Sequence, residues 1–387
     1  MWFNQSIVSR YFEVEREREF RMIVRTYVMM SMLLVFCVLC VEMGTASPFS
    51  PHVVKKAPFF EGWFVRVVDH ENEYSFATVV GFGSFEGNEE ESSKDQTWTA
   101  LLRDDGENQV TLQNLEKSYR PNITVNGGDP VTKNPKRGSP SVWSWISNTI
   151  TIRVNDSTAY VEANFDDVRH YLFCFTQSHA HTHTHTHTHQ IRITANLSNR
   201  EPWNPEKPNT AGPEGVFALL PLPCHYYVQS LGSNATYEVF DRSKSTIVRR
   251  GTGLAHMEAN YGSFFPTSWI WSQTIGNTDT EVRLLLTGGK FLIGPIVTDS
   301  YIIAFRDHER SWNFHTTLHT DVVNVNFDAC AGTLSLVAHH RFSFSSSELR
   351  VNISADPTSF SDPLYFPQRS VGFTNKPGCV ESYVVFE

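Results

Sequence analysis

Hydrophobic and polar residues alternate with a period of two along much of this chain. Ile150, Ile152 and Val154 are separated by polar residues, and the same pattern recurs at 159–165, 323–327 and 349–353. Such alternation places successive side chains on opposite faces of a β-strand, whereas a period of about 3.6 is typical of a helix. The pattern predicts an all-β protein built from antiparallel sheets, with residues 380–387 as a closing strand.

The predicted strands are short and are separated by turn signals, which favours β-barrels or sandwiches over a parallel α/β sheet. Four prolines cluster with polar residues at 199–215, where we place a domain boundary. A first domain is predicted over 52–205 and a second over 213–387. Segments 86–96 and 126–140 have the composition of exposed loops within the first domain.

The first 46 residues have the features of a signal peptide. An apolar run at 28–41 follows Arg21 and Arg25 and precedes the small residues Gly44-Thr45-Ala46. The run is shorter than the roughly 20 apolar residues of a membrane-spanning helix. We expect cleavage near Ala46, entry into the ER, and a secreted or lumenal protein. An uncleaved anchor is an alternative, as is a plastid reached through the ER, because Ala46-Ser47-Pro48-Phe49 resembles the cleavage motif of such proteins.

An oxidising compartment would affect the cysteines and the asparagines that follow this leader. Cys174, Cys224, Cys330 and Cys379 allow three disulfide pairings, and their spacing does not choose among them. Five N-x-S/T sequons are candidate glycosylation sites. They lie at Asn122, Asn155, Asn196, Asn234 and Asn352.

Composition excludes several functions and favours a hydrophobic ligand. The formal net charge is −9 and no lysine/arginine cluster is present, so nucleic acid is not an expected partner. No glycine-rich turn of the ATP- or NAD-binding kind occurs, and no cofactor is expected. With 28 phenylalanines among 387 residues, the chain has the material for apolar pockets, and association with a membrane surface is left open.

Residues 179–189 form a His-Thr tract, the chain's most biased segment. Six histidines at odd positions would lie on one edge of an extended segment and could bind zinc or copper through neutral imidazoles. Alternatively, the tract is a low-complexity loop insertion derived from a nucleotide repeat. We favour the loop and predict no metal site.

Four segments in a fixed order resemble the tocopherol cyclase family. They are FFEGWF at 59–64, PEGVFALLPLPCHYY at 213–227, MEANYGSFFPTSWIWSQ at 257–273 and LTGG at 286–289. The resemblance spans residues 55–330. It implies two lipocalin-like antiparallel β-barrels in tandem and the intramolecular cyclisation of a prenylated hydroquinone to a chromanol.

Closing a chromanol ring requires an acid that protonates an alkene, a dry pocket, and groups that tolerate a tertiary cation. Glu258 is the candidate acid, because the aromatic residues around it in the sequence would desolvate a carboxyl and keep it protonated. The rings of Tyr261, Trp269 and Trp271 could face the cation, each contributing about 0.5–2 kcal/mol.

Other residues of the two blocks could assist. Glu61 beside Trp63 is a second acid-aromatic pair that could orient the quinol hydroxyl or act as a base. His256 could relay a proton and Asn260 could hydrogen-bond the head group. Phe265 is a further candidate for contact with the substrate.

Each of these residues also has a structural interpretation. Glu258 could form a buried polar bridge, Glu61 could be structural, and Trp269 and Trp271 could be core residues. Ala259 and Tyr261 stand where plant members of the family carry Lys and Trp, which places the substrate in doubt. The alternative function is that of a non-catalytic, lipocalin-like carrier of an isoprenoid or another lipid.

Overall fold

The structure is a computed structural model of the whole chain. It describes residues 50–52, 57–85, 95–106, 109–125, 142–155, 157–172, 184–206, 212–215, 218, 222–263, 265–266, 268–276, 281–293, 296–316, 321–328, 331–340, 348–355, 360–361, 363–369 and 371–375. Side chains are not described at 167–172, 184–189, 291–293 and 296–298. The predicted leader, most of the two predicted loops and the predicted closing strand lie outside these ranges.

Among the described residues the protein is all-β, as the alternation predicts, and no helix is long and apolar enough to cross a membrane. The described strands belong to one compact unit, which comprises Ala46–Gly215 and Leu222–Glu387. The other unit, Met1–Thr45 with Val216–Pro221, lies almost wholly outside the described residues.

Twenty strands form four antiparallel sheets among the described residues. The largest sheet has eleven strands: β1 (Phe59–Asp69), β2 (Tyr74–Ser84), β3 (Asp95–Asp104), β4 (Gln109–Lys117), β5 (Asn122–Val125), β6 (Trp143–Ile146), β7 (Ile150–Val154), β8 (Ala159–Leu172), β9 (Thr184–Glu201), β10 (Cys224–Asp241) and β11 (Thr246–Gly262). Its strand order is β4-β3-β2-β1-β11-β10-β9-β8-β7-β6-β5.

The other three sheets are smaller. A four-stranded sheet contains β12 (Ser268–Ile275), β13 (Arg283–Ile293), β14 (Ile296–Arg306) and β15 (Ser311–His315). A three-stranded sheet contains β16 (Asp321–Asp328), β17 (Thr333–His340) and β18 (Glu348–Ser354), and a hairpin contains β19 (Phe366–Gln368) and β20 (Gly372–Thr374).

The eleven-stranded sheet curls so that its two ends approach each other. The hydroxyls of Thr99 on β3 and Thr149 before β7 lie 2.6 Å apart, and the rings of Trp63 on β1 and Trp143 on β6 are 4.4 Å apart between centroids. The concave face, which we term the inner face, is lined by apolar residues from both ends of the sheet. Burial of these side chains is the main stabilising term for the curl.

The convex, outer face is covered over only part of its area. On β10, Val228 and Leu231 pack against Leu285 and Ala304 of the four-stranded sheet. That sheet packs its other side against the three-stranded sheet through Leu286, Leu336 and other apolar residues. The C-terminal hairpin covers β2 and β3 through Phe373.

Strand β1 pairs with β11, from the second predicted domain, along nine residue pairs from Phe60 with Gly262 to Val68 with Leu254. A single sheet therefore takes strands from both sides of the boundary predicted at 205–213. The two sequence blocks FFEGWF and MEANYG consequently lie side by side in one ladder.

Candidate functional site

The faces of β1 and β11 determine which predicted site residues can meet. In an antiparallel ladder, directly paired residues point to the same side, and residues two apart in one strand share that side. Phe64 pairs with Glu258 and Arg66 with His256, and these four lie on the outer face. Glu61 pairs with Tyr261, and both lie on the inner face with Trp63.

Glu258 is a buried carboxyl on the outer face with two hydrogen-bond donors, and 5% of its surface is exposed. The Tyr226 hydroxyl donates a short hydrogen bond to Oε2 of Glu258, and Nε2 of His256 lies 2.8 Å from the same oxygen. Both hydrogen bonds use Oε2, and among the described residues no hydrogen bond to Oε1 of Glu258 is found. The carboxyl is therefore held at one oxygen, and the other remains available.

The protons of these two partners can be assigned from their surroundings. Burial, and then the charge of Glu258, hold the pKa of Tyr226 well above its ordinary value, so the phenol keeps its proton and donates it. Nδ1 of His256 is buried without a hydrogen-bond partner among the described residues. Because an unpaired buried N–H is costly, the neutral tautomer with its proton on Nε2 suits this ring best, and His256 then donates to Glu258.

An aromatic row lies beside Glu258 on the outer face. We define this row as Phe60, Phe64, Phe265, Trp269, Trp271 and Phe366. Phe64 meets Trp271 edge-on, with 4.8 Å between ring centroids. The ring centroid of Phe265 lies 5.5 Å from that of Phe60 and 4.9 Å from that of Trp269. Trp269 continues the row to Phe366 at 5.3 Å. All of these except Phe60 are half-buried, so an apolar ligand could reach their rings.

Asn260 lies on the outer face two residues beyond Glu258 and is half-buried. It pairs with Gly62 of β1, and a Cβ on that glycine would lie 3.1 Å from Oδ1 of Asn260. The absence of a side chain at Gly62 thus leaves space for the Asn260 amide beside the Glu258 carboxyl. The outer face brings together Glu258, His256, Asn260, Phe265, Trp269 and Trp271 from the predicted site.

The structure separates Glu61 and Trp63 from this group, because they lie on the inner face. The backbone N–H of His52 donates to Oε2 of Glu61 at 2.7 Å, and Nε1 of Trp63 donates to its Oε1 at 3.1 Å. Nδ1 of His52 is 3.3 Å from Oε1. Glu61 is 1% exposed and its two oxygens are occupied, so its geometry matches the structural interpretation of this acid.

Tyr261 also lies on the inner face, away from Glu258. Its ring is stacked between His52, at 3.9 Å, and His225, at 4.9 Å between centroids. Nδ1 of His225 lies 2.7 Å from Oε2 of Glu214, and burial, followed by the charges of Glu214 and Glu61, raises the pKa of Tyr261. The desolvating neighbours expected from Met257 and Tyr261 in fact face away from Glu258, because they are odd-numbered in the same strand.

Three residues at these sites were not found by the sequence reasoning. Tyr226 holds Glu258 and Glu214 holds His225, each by a hydrogen bond. Gln273 is buried near Arg66, and Nη1 of Arg66 donates to the backbone carbonyl of Gln273 at 3.1 Å. Tyr226 and Glu214 belong to the PEGVFALLPLPCHYY segment, and Gln273 ends the SWIWSQ segment. Their roles depend on contacts between different segments, across the β10–β11 hairpin for Tyr226, between a turn and β10 for Glu214, and between β1 and β12 for Gln273, which alternation within one segment does not show.

The five sequon asparagines are all exposed at the described surface. Asn155, Asn196 and Asn234 line one open cavity of about 610 Å³, together with Arg153 and Tyr160. Their side chains are accessible to solvent, as glycosylation would require. Whether glycans are attached stays a prediction.

The remaining predicted features fall largely outside the described residues. Cys224 is half-buried and forms no disulfide, and desolvation raises the pKa of its thiol. Cys174, Cys330 and Cys379 lie outside the described residues. Thr184–His189 of the His-Thr tract lie in β9, but their side chains are not described. Within the described ranges no group of three or more His, Cys, Asp or Glu side chains could hold a metal ion.

Comparison with known proteins shows a distant structural similarity. No family model matches the chain, and no curated protein matches it. Among solved structures, the chain is similar to a protein from Nitrosomonas europaea described as a "putative AttH", with 10% sequence identity and a TM-score of 0.41. The similarity covers 76% of this chain and 80% of that chain. The resemblance to the tocopherol cyclase family, and the tandem lipocalin-like barrels that it implies, stay predictions.

Proposed function

We propose that the outer-face site binds a prenylated hydroquinone and cyclises it to a chromanol, with Glu258 as the acid. The observation that supports this proposal is the pair of donors on one oxygen of a buried carboxyl, beside a half-buried aromatic row. The other oxygen is available to carry a proton toward the ligand.

The proposed reaction begins with proton transfer from Oε1 of Glu258 to the less substituted carbon of the alkene. The carbon–carbon π bond supplies the electron pair, and a tertiary cation forms at the branch. The phenol oxygen attacks this cation, the C–O bond closes the ring, and the phenol proton returns to Glu258. Substrate and product are isomers, so no oxidant or cofactor is consumed.

Two arrangements in the site would lower the barrier for this step. The negative charge that develops on Glu258 is stabilised by Tyr226 and His256, which already donate to Oε2 before the reaction. Trp271, with Phe64 at its edge, offers a π-face that attracts a developing cation by about 0.5–2 kcal/mol. Glu61 is on the opposite face of the sheet and takes no part in the reaction.

The proposal is tested by incubating the purified protein with a phytyl-type hydroquinone and measuring the chromanol product. We expect Glu258→Gln to lower the rate on the order of 100-fold or more, because general acids typically contribute that much. The matched control is Glu238→Gln, an exposed glutamate on the adjacent strand β10, which should retain the wild-type rate. Product formation at the full rate by Glu258→Gln would exclude this carboxyl as the acid.

A non-catalytic carrier of an isoprenoid or other lipid is the second candidate function. It is favoured by the half-buried aromatic row, which could bind an apolar chain whether or not Glu258 transfers a proton, since each methylene removed from water contributes about 0.8 kcal/mol. Tight binding of the hydroquinone without turnover by the wild-type protein would support the carrier.

We further propose that the protein enters the ER by its leader and acts in a lumenal or secreted location.

A further inference from the structure

Several buried polar atoms at one end of the outer-face site lack a hydrogen-bond partner among the described residues. They include Nδ1 of His256, Nε1 of Trp271, and both Oε1 and Nε2 of Gln273. His256 is 0% and Gln273 9% exposed. Most buried polar groups in proteins are hydrogen-bonded, so this concentration of unpaired atoms beside a candidate acid requires an explanation.

The course of β12 brings these atoms to the same level of the site. Phe265, Pro266 and strand β12 run alongside β1 in the same direction: Phe265 meets Phe60, Trp271 meets Phe64, and Arg66 donates to the backbone carbonyl of Gln273. Gln273 is two residues from Trp271, so its amide shares the face that looks onto β1. Arg66 in turn pairs directly with His256 in the β1–β11 ladder.

The donor and acceptor types of these atoms select a ligand group. In the tautomer that donates to Glu258, Nδ1 of His256 can only accept, whereas the Gln273 amide offers both a donor and an acceptor. A hydroxyl satisfies both residues because it donates one hydrogen bond and accepts others. An ether oxygen and a carboxylate have no proton to donate to Nδ1 of His256, and an ammonium is disfavoured by Arg66.

We infer that Gln273 and His256 bind a hydroxyl group of an amphiphilic ligand, whose polar head lies beyond Trp271 and whose tail extends along Phe265, Trp269 and Phe366. This inference rests on the proposed ligand-binding function of the outer-face site, but not on the cyclisation. It fixes the orientation of the ligand: head toward Arg66, tail toward the C-terminal hairpin. It also places Glu258 between the head and the tail.

The inference is tested by comparing two probes, a phytyl-substituted hydroquinone and its dimethyl ether, in binding titrations followed by tryptophan fluorescence and calorimetry. We expect the wild-type protein to bind the hydroquinone about tenfold or more tightly than the ether, because the ether leaves the buried groups of the protein unpaired. Gln273→Leu should reduce this preference to near parity while binding of the ether stays within about twofold of wild type.

Controls separate recognition from folding. Gln109→Leu removes an exposed amide at the start of β4 that donates to Asp104, and it should keep the preference for the hydroquinone. Gln273→Met is a second variant for use if the leucine variant is unstable. Equal wild-type affinity for both probes, no binding of either, or equal weakening of both by Gln273→Leu would overturn the inference.

The binding titrations and the chromanol assay together distinguish this inference from the proposed reaction. Selective binding of the hydroquinone without chromanol formation would reject the cyclase and retain the hydroxyl site. Chromanol formation with no discrimination between hydroxyl and ether would reject the hydroxyl site and retain the acid.

Discussion

At the scale of single residues, the site is organised by which atoms of Glu258 are occupied. Tyr226 and His256 both contact Oε2, and they do so from different strands, β10 and β11. A donor that strengthens its hydrogen bond as negative charge develops contributes to catalysis rather than to ground-state binding. Tyr226 is therefore a positioning residue for the acid in the proposed reaction.

Tyr226→Phe should lower the maximal rate of chromanol formation by about 10- to 100-fold, since hydrogen bonds to charged groups contribute about 1.5–3 kcal/mol. The loss should fall on kcat, with KM within about twofold of wild type, because the hydrogen bond strengthens only as negative charge develops on Glu258. Both constants are measured with the phytyl-type hydroquinone. An unchanged kcat, with a raised KM or a lower melting temperature, would indicate that Tyr226 only supports binding or the fold.

At the scale of elements, alternation predicted the strands well but not their partners. The patterns at 150–154 and 349–353 correspond to β7 and β18, and alternation also implies that Met257 and Glu258 face opposite sides. The pairing of β1 with β11 joins segments about 200 positions apart, as Glu61 and Tyr261 illustrate. Local patterns hold no information on such a pairing, so the distribution of the site over two faces could not be derived from sequence.

Strand β12 depends on a close approach by Gly289, and this offers a test of how the aromatic row is held. A Cβ at position 289 would lie 2.0 Å from the carbonyl oxygen of Ser268, the residue before Trp269, which pairs with Gly289 in the β12–β13 ladder. Gly289→Ala should displace β12, alter the fluorescence of Trp269 and Trp271, and weaken ligand binding by about tenfold. Lys290→Ala, at the exposed next residue, is the control. Unchanged fluorescence and binding in Gly289→Ala would contradict this account of β12.

At the scale of the whole molecule, the described residues form a curled sheet with a dense inner core, and the smaller sheets cover part of its outer face. Titratable groups are buried in the smaller sheets as well. Burial is the main cause that lowers the pKa of His315, near Asp321 and His340, below its ordinary value of 6.5. The His315 ring also lies edge-on to the ring of Trp203, a residue of the connection after β9, with 6.0 Å between centroids.

Because the folded pKa of His315 is depressed, the unfolded chain takes up the proton first as the pH falls. The contribution of neutral His315 to stability is therefore present above the unfolded value of about 6.5 and is lost as the pH falls toward the lower folded pKa. The melting temperature should fall between pH 7 and about pH 5, and it should fall less in His315→Phe. Melting followed by circular dichroism measures both, and an equal fall in the variant would assign the effect to other groups.

The two-sided use of β1 has an evolutionary consequence. Its inner face carries Glu61 and Trp63, and its outer face carries Phe64 and Arg66. Substitutions can change one face without the other, but a one-residue insertion or deletion between Glu61 and Arg66 would exchange the faces of every following side chain. Related chains should therefore vary far more in the residue types of this strand than in its length. The number of residues between Glu61 and Arg66 is the first quantity to compare among relatives.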